Sequence, residues 1–312
     1  MQQASASPKS KDQAKHPRPK TAPNNTQYST AHAPKTTLTL EQQRRKHQQP
    51  LPGAVGVFLH KLAFLLVFCL ALAASAQRLG VIGDWGTESP HRALIARALN
   101  EQHRLRPFDA LLTVGDNFYP RGEPILRYVQ DLPPVRIYPA FGNHDLPALA
   151  KQLELFRAEQ PYYTVKLENV EVFVIYSENF SQTQRRWLEA ALRASRASWK
   201  IVTLHRPLYS SGFHGGARSL RQALEPLLTQ YRVPLVLAGH DHNYERLEAK
   251  GIIHIVSGGG GAWLRNFRAV QPQSKVRLVS PNYLTLEATA ERLLVTAYNE
   301  KNDPIDRLEL KK

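Results

Sequence analysis

The chain has 312 residues and a formal net charge of +15 at pH 7. Residues 1–76 hold ten Lys and Arg residues against two Asp and Glu residues, so residues 77–312 keep a net charge of +7. The only cysteine, Cys69, lies outside residues 77–312, which excludes a disulfide-stabilised fold there. The basic residues are scattered and not interleaved with aromatic residues, so we predict attraction of anions but no nucleic-acid binding.

The first 76 residues contain two segments of different composition. Residues 1–50 are rich in Gln, Lys, Pro, Thr and Ser with few apolar side chains, so we expect a disordered extension. An apolar run over residues 62–76 is shorter than the roughly 20 residues that span a bilayer. It ends in Ala74-Ser75-Ala76, which is typical of a signal-peptide cleavage site.

We therefore predict a signal peptide over residues 51–76 and a mature domain over residues 77–312. The mature domain is expected to be periplasmic or secreted, without stable membrane association after cleavage. The alternative is a membrane anchor formed by residues 54–76. Because a long segment precedes the signal, residues 1–50 are either an extended leader or the product of a start codon assigned too far upstream.

Apolar strands alternate with amphipathic helices along residues 77–312. The predicted elements are, in chain order, a strand over 79–84, a helix over 90–105, strands over 109–116 and 135–145, a helix over 146–159, a hairpin over 162–177, a helix over 183–196, a strand over 199–205, a helix over 218–231, strands over 233–240 and 252–261, and a closing hairpin over 283–299. Thr183 is the predicted N-cap of its helix. The alternation predicts an α/β fold, and the hairpins add antiparallel pairing. We expect two packed mixed sheets with helices outside.

Five of these strands end in a polar cluster. The clusters are VIGDWG with Asp84, LTVGDNFY with Asp116 and Tyr119, AFGNHD with Asn143, His144 and Asp145, IVTLHRP with His205, and LAGHDH with His240 and His242. Ligands of α/β sheets bind beyond the carboxyl ends of the strands, so these side chains are expected to converge. His240 and His242 alone are equally typical of a polar turn. Carboxylates, an amide, a phenol and imidazoles on five strands instead favour two metal ions that share a carboxylate.

The motifs GDWG, GDNFY, GNHD, HRP and GHDH closely resemble those of the calcineurin-like metallophosphoesterases. The resemblance covers residues 79 to about 262 and is strongest to the purple acid phosphatases, especially the tartrate-resistant type. Tyr119 stands three residues after Asp116, where that subgroup has a tyrosinate ligand, and Trp85-Gly86 follows Asp84 where other members have a histidine ligand. The resemblance implies a four-layer αββα sandwich.

The resemblance also implies a binuclear metal centre. Fe(III) is expected to be held by Asp84, Asp116, Tyr119 and His242, and a divalent Fe, Zn or Mn ion by Asp116, Asn143, His205 and His240. Phenolate favours Fe(III), whereas imidazole and amide oxygen suit a divalent ion. The alternative for Tyr119 is an aromatic side chain that packs beside Phe118.

The implied function is that of an acid phosphatase, which hydrolyses small phosphate monoesters by attack of a metal-activated hydroxide. His144 and His214 match the family's proton donors to the leaving group, with a supporting or an exposed histidine as the alternatives. Asp145 is expected to fix a neighbouring group. The sequence leaves open a phosphodiesterase or nucleotide phosphatase and, in another class, an exported phosphate- or metal-binding protein with little turnover. It also leaves open the natural ester, the second metal and the oligomeric state.

Other polar residues near these motifs carry weaker signals. Arg121 and Arg206 adjoin ligand segments and are either substrate contacts or solvated surface residues. Residues 257–261, SGGGG, either line the site with backbone N–H groups or form a flexible turn. Three histidines with no matching context are expected to be ordinary surface or core residues: His91, His103 and His254.

Overall fold

The computed structural model describes residues 76–312. The predicted disordered extension and the predicted signal peptide up to residue 75 lie outside the described residues. Along residues 76–312, no helix combines the length and the apolar character needed to cross a bilayer.

The strands are β1 (Gln77–Ile82), β2 (Ala110–Val114), β3 (Ile137–Ala140), β4 (Tyr163–Lys166), β5 (Val170–Val174), β6 (Trp199–Thr203), β7 (Leu235–Ala238), β8 (Tyr244–Ala249), β9 (Ile252–Ser257), β10 (Ser274–Leu278), β11 (Tyr283–Ala288), β12 (Arg292–Tyr298) and β13 (Pro304–Lys311). The helices are α1 (Pro90–Leu105), α2 (Leu126–Gln130), α3 (Leu149–Phe156), α4 (Gln182–Ala194) and α5 (Arg218–Gln230).

The strands form two mixed sheets. Sheet A has the order β13-β12-β11-β1-β2-β3, and sheet B has the order β10-β8-β9-β7-β6-β5-β4. β1, β2 and β3 run parallel in sheet A, as do β5, β6, β7 and β9 in sheet B. The remaining strands pair antiparallel at the sides of each sheet. This order collects the carboxyl ends of the parallel strands at one edge of each sheet.

Alternating side chains divide the core into three layers. Val81 of β1 and Ile201 of β6 belong to the layer between the two sheets. Their neighbours Ile82 and Val202 face outwards, Ile82 toward the α1 side of sheet A and Val202 toward α4 and α5. Because successive strand residues point to opposite faces, both sheets are buried on both sides. The predicted αββα sandwich is confirmed.

The first helix has the bounds that the sequence predicts. α1 spans Pro90–Leu105, and the Ser89 hydroxyl accepts a hydrogen bond from the Arg92 N–H at 3.1 Å. A serine before a proline at the first helical position satisfies an otherwise unpaired N–H and presets the backbone angle. Its buried face, which includes Ile95 and Leu99, covers sheet A.

The predicted N-cap of α4 is wrong. α4 begins at Gln182, and its cap is Ser181, whose hydroxyl accepts a hydrogen bond from the Gln184 N–H at 3.2 Å. Thr183 lies inside the first turn. Both hydroxyl residues satisfy the sequence rule for a cap, and the backbone direction at residue 181 decides between them.

Two other element predictions need correction. The helix predicted over residues 146–159 is a 3₁₀ turn followed by α3, which ends where Arg157 adopts a left-handed conformation with φ of 54°. The hairpin predicted to close the chain is followed by a third strand, β13. β13 is an edge strand in which every residue is exposed or half-buried, so its apolar pattern is weak.

His254 on β9 is a buried histidine. Its ring centroid lies 5.0 Å from that of Tyr209, and neither ring nitrogen has a hydrogen-bond partner among the described residues. Burial and, to a smaller extent, the guanidinium of Arg221 lower the pKa of His254 to about 4. The residue therefore lies in the core as a neutral side chain.

We expect His254 to lower the free energy of unfolding in acid by about 3 kcal/mol. This loss should develop as the pH falls from 6.5 to about 4. Over that range the unfolded chain binds the proton at the ordinary histidine pKa, while folded His254 stays neutral. His254→Leu should flatten the decline of the free energy of unfolding, measured by urea titration from pH 4 to pH 7.5. The value at pH 7.5, where both states are neutral, gives the baseline. Parallel pH curves for the two proteins would contradict the assignment.

Candidate metal centre

The carboxyl ends of five parallel strands bring the predicted side chains together. Asp84, Asp116 and Asn143 follow β1, β2 and β3 of sheet A, whereas His205 and His240 follow β6 and β7 of sheet B. Neighbouring parallel strands end side by side, so each sheet presents its polar cluster at one edge. The two edges meet, since His205 Nε2 lies 3.4 Å from Asp116 Oδ1.

Three of these residues adopt a left-handed backbone conformation. The angle φ is 54° at Asp84, 50° at Asp116 and 72° at His240. Residues other than glycine rarely adopt this conformation unless the surrounding structure enforces it, as at functional sites. Close approach also requires glycine at Gly142, where an added Cβ would lie 2.2 Å from Asp116 Oδ1.

The first donor set consists of Asp84, Asp116, Tyr119 and His242. The Tyr119 hydroxyl lies 3.1 Å from Asp84 Oδ1, 3.0 Å from Asp116 Oδ2 and 3.2 Å from His242 Nε2. His242 Nδ1 lies 2.9 Å from the Trp263 carbonyl oxygen, which turns Nε2 toward the carboxylates. The hydroxyl of Tyr119 therefore points into the cluster, beyond any role of its ring in packing.

The second donor set consists of Asp116, Asn143, His205 and His240. His205 is fully buried, and its Nε2 lies 3.4 Å from Asp116 Oδ1, 3.2 Å from Asn143 Oδ1 and 3.1 Å from His240 Nδ1. His205 Nδ1 lies 3.0 Å from the Val114 carbonyl oxygen and therefore carries a proton. That contact directs Nε2 into the site.

Asp116 belongs to both donor sets. Its Oδ2 faces Tyr119, and its Oδ1 faces His205. Oδ1 also accepts a hydrogen bond from the His144 backbone N–H at 2.9 Å. Donor atoms of Asp84, Asp116 and His205 all lie within 4.8 Å of one another. This geometry fits a carboxylate shared by two cations.

The electrostatics of the donor sets also fit bound cations. Burial, then Asp84 and Asp116, raise the pKa of Tyr119 well above its usual value, so its phenolate needs a cation nearby. Burial lowers the pKa of His205, but the Asp116 carboxylate raises it to about 10, so a metal would compete with a proton for Nε2. Burial and His205 lower the pKa of His240, which stays neutral and able to coordinate.

Asp145 holds the loops around Asp116 in place. Five N–H donors converge on its buried carboxylate, namely the backbone groups of Asn117, Phe118 and Gly142 at 2.9, 3.2 and 2.8 Å, the Asn117 side-chain amide at 3.2 Å and the Gln152 amide at 2.8 Å. Burial, then Asp116, raise the pKa of Asp145 to about 7, and the hydrogen bonds from Gly142 and Gln152 oppose that shift. Asp145 thus orients backbone, the role that its sequence context predicts.

The sequence analysis missed two buried amides that support these loops. Asn117 accepts a hydrogen bond from Trp85 Nε1 at 3.2 Å and donates one to the Ala140 carbonyl at 2.9 Å. Gln152 donates one to the Gly122 carbonyl at 2.8 Å. Asn117 stands inside the GDNFY motif, so the motif could have indicated it as a residue that supports the site. Gln152 lies on α3 without any local motif.

His144 lies at the open side of the centre. Its side chain is 38% exposed, and Nε2 lies 4.0 Å from Asp116 Oδ2. Nδ1 lies 2.8 Å from the Pro120 carbonyl oxygen, so it carries a proton and leaves Nε2 free to face a substrate. The ring packs 4.4 Å from the Tyr119 ring. His144 is therefore adjacent to the donor sets and accessible from solvent.

His214 lies against His240, with 4.2 Å between ring centroids. Its backbone N–H donates a hydrogen bond to Asp241 Oδ1 at 2.8 Å. Arg265 Nη1 lies 2.7 Å from His214 Nε2, and because a guanidinium only donates, Nε2 is the acceptor. Burial lowers the pKa of His214, and Arg265 lowers it further. In this arrangement His214 accepts a hydrogen bond where the sequence analysis predicts a proton donor.

The two arginines singled out by the sequence differ in environment. Arg206 forms an ion pair with Glu178, with 2.8 Å between Nη2 and Oε2. Its Nη1 lies 3.1 Å from His240 Nε2. Arg121 is exposed. Arg206 therefore adjoins the second donor set, whereas Arg121 has the exposure of a surface residue.

The glycine run at residues 257–261 supports the strand ends. The Gly260 N–H donates a hydrogen bond to the Gly83 carbonyl at 3.0 Å, and the Gly258 N–H donates one to the Asn243 carbonyl at 3.2 Å. These N–H groups are bound to backbone, so the run packs beside the ligand segments. The prediction that backbone N–H groups of this run line the site is therefore wrong for Gly258 and Gly260.

The fold and the strand-end donors define an αββα sandwich with a metal-type site between its sheets. The chain belongs to the calcineurin-like phosphoesterase family, whose family model matches residues 77–244. The predicted class, an enzyme that hydrolyses phosphate esters, is confirmed at the level of this family.

Individual relatives agree with the predicted resemblance. Tartrate-resistant acid phosphatase type 5 of Rattus norvegicus is 27% identical over 251 residues, which cover 63% of this chain and 76% of that protein. The purple acid phosphatase PPD1 of yellow lupin (Lupinus luteus) has a TM-score of 0.66 at 19% identity, covering 76% of this chain and 54% of the lupin chain. GAP50, described as the anchor in the inner membrane complex of Plasmodium, has a TM-score of 0.67 at 19% identity, covering 76% and 89%. These solved structures show the shared fold. The resemblance to the purple acid phosphatases is confirmed.

Proposed function

We propose that the chain is an acid phosphatase that hydrolyses phosphate monoesters at a binuclear Fe(III)–M(II) centre. The observation that supports this most strongly is the position of Asp116, whose two carboxylate oxygens lie 3.0 Å from Tyr119 and 3.4 Å from His205. One tetrahedral metal needs about four ligands and no shared carboxylate. Seven candidate ligands, of which one is a shared carboxylate, favour two metals, and an acid phosphatase among the relatives supports the proposed activity.

The chemistry of each donor set suggests its metal. The first donor set contains the phenol of Tyr119, a hard donor once ionised, so we propose that it holds Fe(III). The second donor set has two imidazoles and an amide oxygen, which suit divalent Fe, Zn or Mn. When bound, the two cations neutralise phosphate oxygens and activate water as the nucleophile.

The surrounding side chains would bind the ester and move protons. His144 Nε2 faces the open side, where an N–H on this nitrogen would donate a proton to the departing alkoxide. We propose that His214, held by Asp241 and Arg265, positions the substrate beside His240. Arg206, fixed by Glu178, would contribute positive charge next to the second donor set.

The direct test combines metal analysis with substrate comparison. Protein purified without added metal should contain two metal ions per chain and should hydrolyse nitrophenyl phosphate faster than bis(nitrophenyl) phosphate, with highest activity in acid. Faster turnover of the diester would favour a phosphodiesterase on the same site. Two metals with turnover of neither ester would favour a phosphate- or metal-binding protein.

Tyr119→Phe is expected to abolish the purple colour of the protein. Charge transfer from a tyrosinate to Fe(III) gives a visible absorption band, and phenylalanine has no oxygen to coordinate the ion. The band should vanish from the visible spectrum while the second metal is retained in metal analysis. Tyr138→Phe is the matched control, because Tyr138 packs against the core between the sheets. An unchanged band in Tyr119→Phe would exclude this ligand.

We further propose that residues 51–76 direct export of the domain. The apolar run and the small residues before Gln77 support this, and β1 begins at Gln77. N-terminal sequencing of protein from the periplasm or medium should begin near Gln77. Recovery of peptides from residues 1–40 in exported protein would contradict cleavage and a downstream start.

A further inference from the structure

Residues 262–271 form a strap beside the metal centre. The Arg265 N–H donates a hydrogen bond to the His242 carbonyl at 3.0 Å, which fixes one part of the strap to a donor residue. The Arg268 N–H donates to the Ser211 carbonyl at 3.0 Å, and the Gln271 N–H donates to the Ser211 hydroxyl at 2.9 Å. The strap is therefore tied both to the first donor set and to the loop that carries His214.

The strap places two guanidinium groups on one aromatic ring. The guanidinium carbon of Arg268 lies 3.3 Å from the Phe213 ring centroid, and that of Arg265 lies 4.9 Å from it. Phe213 is 39% exposed, so the pair lies at the surface. Cation–π contact stabilises each charge there and offsets part of their mutual repulsion.

These two charges have no carboxylate partner in residues 76–312. By contrast, Arg206, whose Nη1 lies 3.1 Å from His240 Nε2, is paired with Glu178 at 2.8 Å. Arg265 and Arg268 form no ion pair within 4.0 Å of any described carboxylate. Two guanidiniums that contact one aromatic ring and have backbones fixed by hydrogen bonds form a preorganised site for an anion, because each can donate a forked pair of hydrogen bonds.

The position of this charge pair relative to the metals sets what it can bind. Arg265 lies 2.7 Å from His214, and the His214 ring lies 4.2 Å from that of His240. One imidazole therefore separates the guanidinium from a proposed metal ligand. A phosphate at the metals would not occupy this position, but the leaving group attached to that phosphate would.

We propose that Phe213, Arg265 and Arg268 form a second anion-binding subsite, which selects phosphate monoesters whose leaving group carries a further anionic group. This inference rests on the proposed phosphatase function and specifies its substrate class. Metals held by the two donor sets would bind the phosphate to be cleaved, and the strap would bind a carboxylate or second phosphate on the leaving group.

Matched substrates test the subsite. Phenyl phosphate and para-carboxyphenyl phosphate differ by one negative charge on the leaving group. The unmodified protein should prefer the carboxylated ester by about tenfold in kcat/KM, the size expected for one charge-assisted hydrogen-bond pair. Arg268→Gln should lower that preference about fivefold, and Arg265→Gln with Arg268→Gln should abolish it. Arg268→Lys should retain part of it, because it keeps the charge and loses the fork.

The control is Arg196→Gln, which neutralises an exposed arginine before β6, at the opposite end of the strand from His205. The kcat/KM values for phenyl phosphate and para-carboxyphenyl phosphate should both be unchanged in this variant. Far-ultraviolet circular dichroism of every variant excludes misfolding as the cause. The subsite would be overturned if the ratio of kcat/KM for the two esters were the same in the unmodified protein and in the double variant.

Binding measurements separate this inference from the proposed function. Benzylphosphonate and para-carboxybenzylphosphonate are not hydrolysed, and calorimetry should give about tenfold tighter binding of the carboxylated compound to the metal-loaded protein. Absence of turnover with both esters would refute the phosphatase function, and this affinity ratio would still test the subsite. Equal affinities for the two phosphonates would overturn it whatever the activity.

Discussion

Asp116→Asn is expected to remove both metals and to lower kcat/KM for nitrophenyl phosphate by at least about 10³-fold, or about 4 kcal/mol of transition-state stabilisation. The two oxygens of Asp116 face separate donor sets, so one neutral amide would weaken both cation sites at once. The asparagine side chain would also turn an N–H group toward one of the two cation sites. Metal content per chain and initial rates measure the two effects.

Asp109→Asn is the matched control for this substitution. Asp109 stands at the other end of β2, where its Oδ2 accepts a hydrogen bond from the Arg78 N–H at 2.7 Å. This variant should keep two metals and full activity. If Asp116→Asn retained both metals and the rate of the unmodified protein, a shared carboxylate could not be part of the mechanism.

His144→Ala is expected to keep both metals and lose about 10²–10³-fold in kcat on an alkyl phosphate such as glycerol 2-phosphate. His144 contributes no atom to either donor set, but its Nε2 faces the open side of the centre at 4.0 Å from Asp116. Removing it leaves the departing alkoxide without a proton donor. The loss should be smaller with nitrophenyl phosphate, whose leaving group is a weak base.

His103→Ala serves as the control, because His103 lies near the end of α1 and its Nδ1 accepts a hydrogen bond from the Phe108 N–H. Its rates with both esters should equal those of the unmodified protein. Loss of metal from His144→Ala would indicate a structural role instead. An equal loss with both leaving groups would contradict proton donation.

Most of the candidate site could be predicted from the sequence, because ligands of α/β sheets bind beyond the carboxyl ends of the strands. Apolar strands followed at once by Asp84, Asp116 or His205 show which edge of each sheet is polar, because parallel pairing places the carboxyl ends of neighbouring strands side by side. The periodicity of α1 and the alternation of buried strands likewise have local causes. These features could be predicted because each depends on a few adjacent residues.

The features that the sequence analysis missed depend on contacts between distant segments. Gln152 supports the Asp116 loop from α3, and Arg265 reaches His214 across 51 residues of sequence. Neither belongs to a motif, and only the folded chain determines the contact. The choice of Ser181 over Thr183 as the cap of α4 similarly depends on the direction from which the chain enters the helix.

Both donor sets include a histidine that follows β7, while their aspartates and Asn143 lie far upstream in the chain. A nascent polypeptide released from the ribosome only as far as residue 230 would expose carboxylates and a phenol without His240 or His242. Such a fragment has weak affinity for any ion, since the coordination sphere closes only when both sheets have assembled. Loading of the proposed metal centre would therefore be a late step in maturation, and the ions present where folding finishes would determine which metals occupy it.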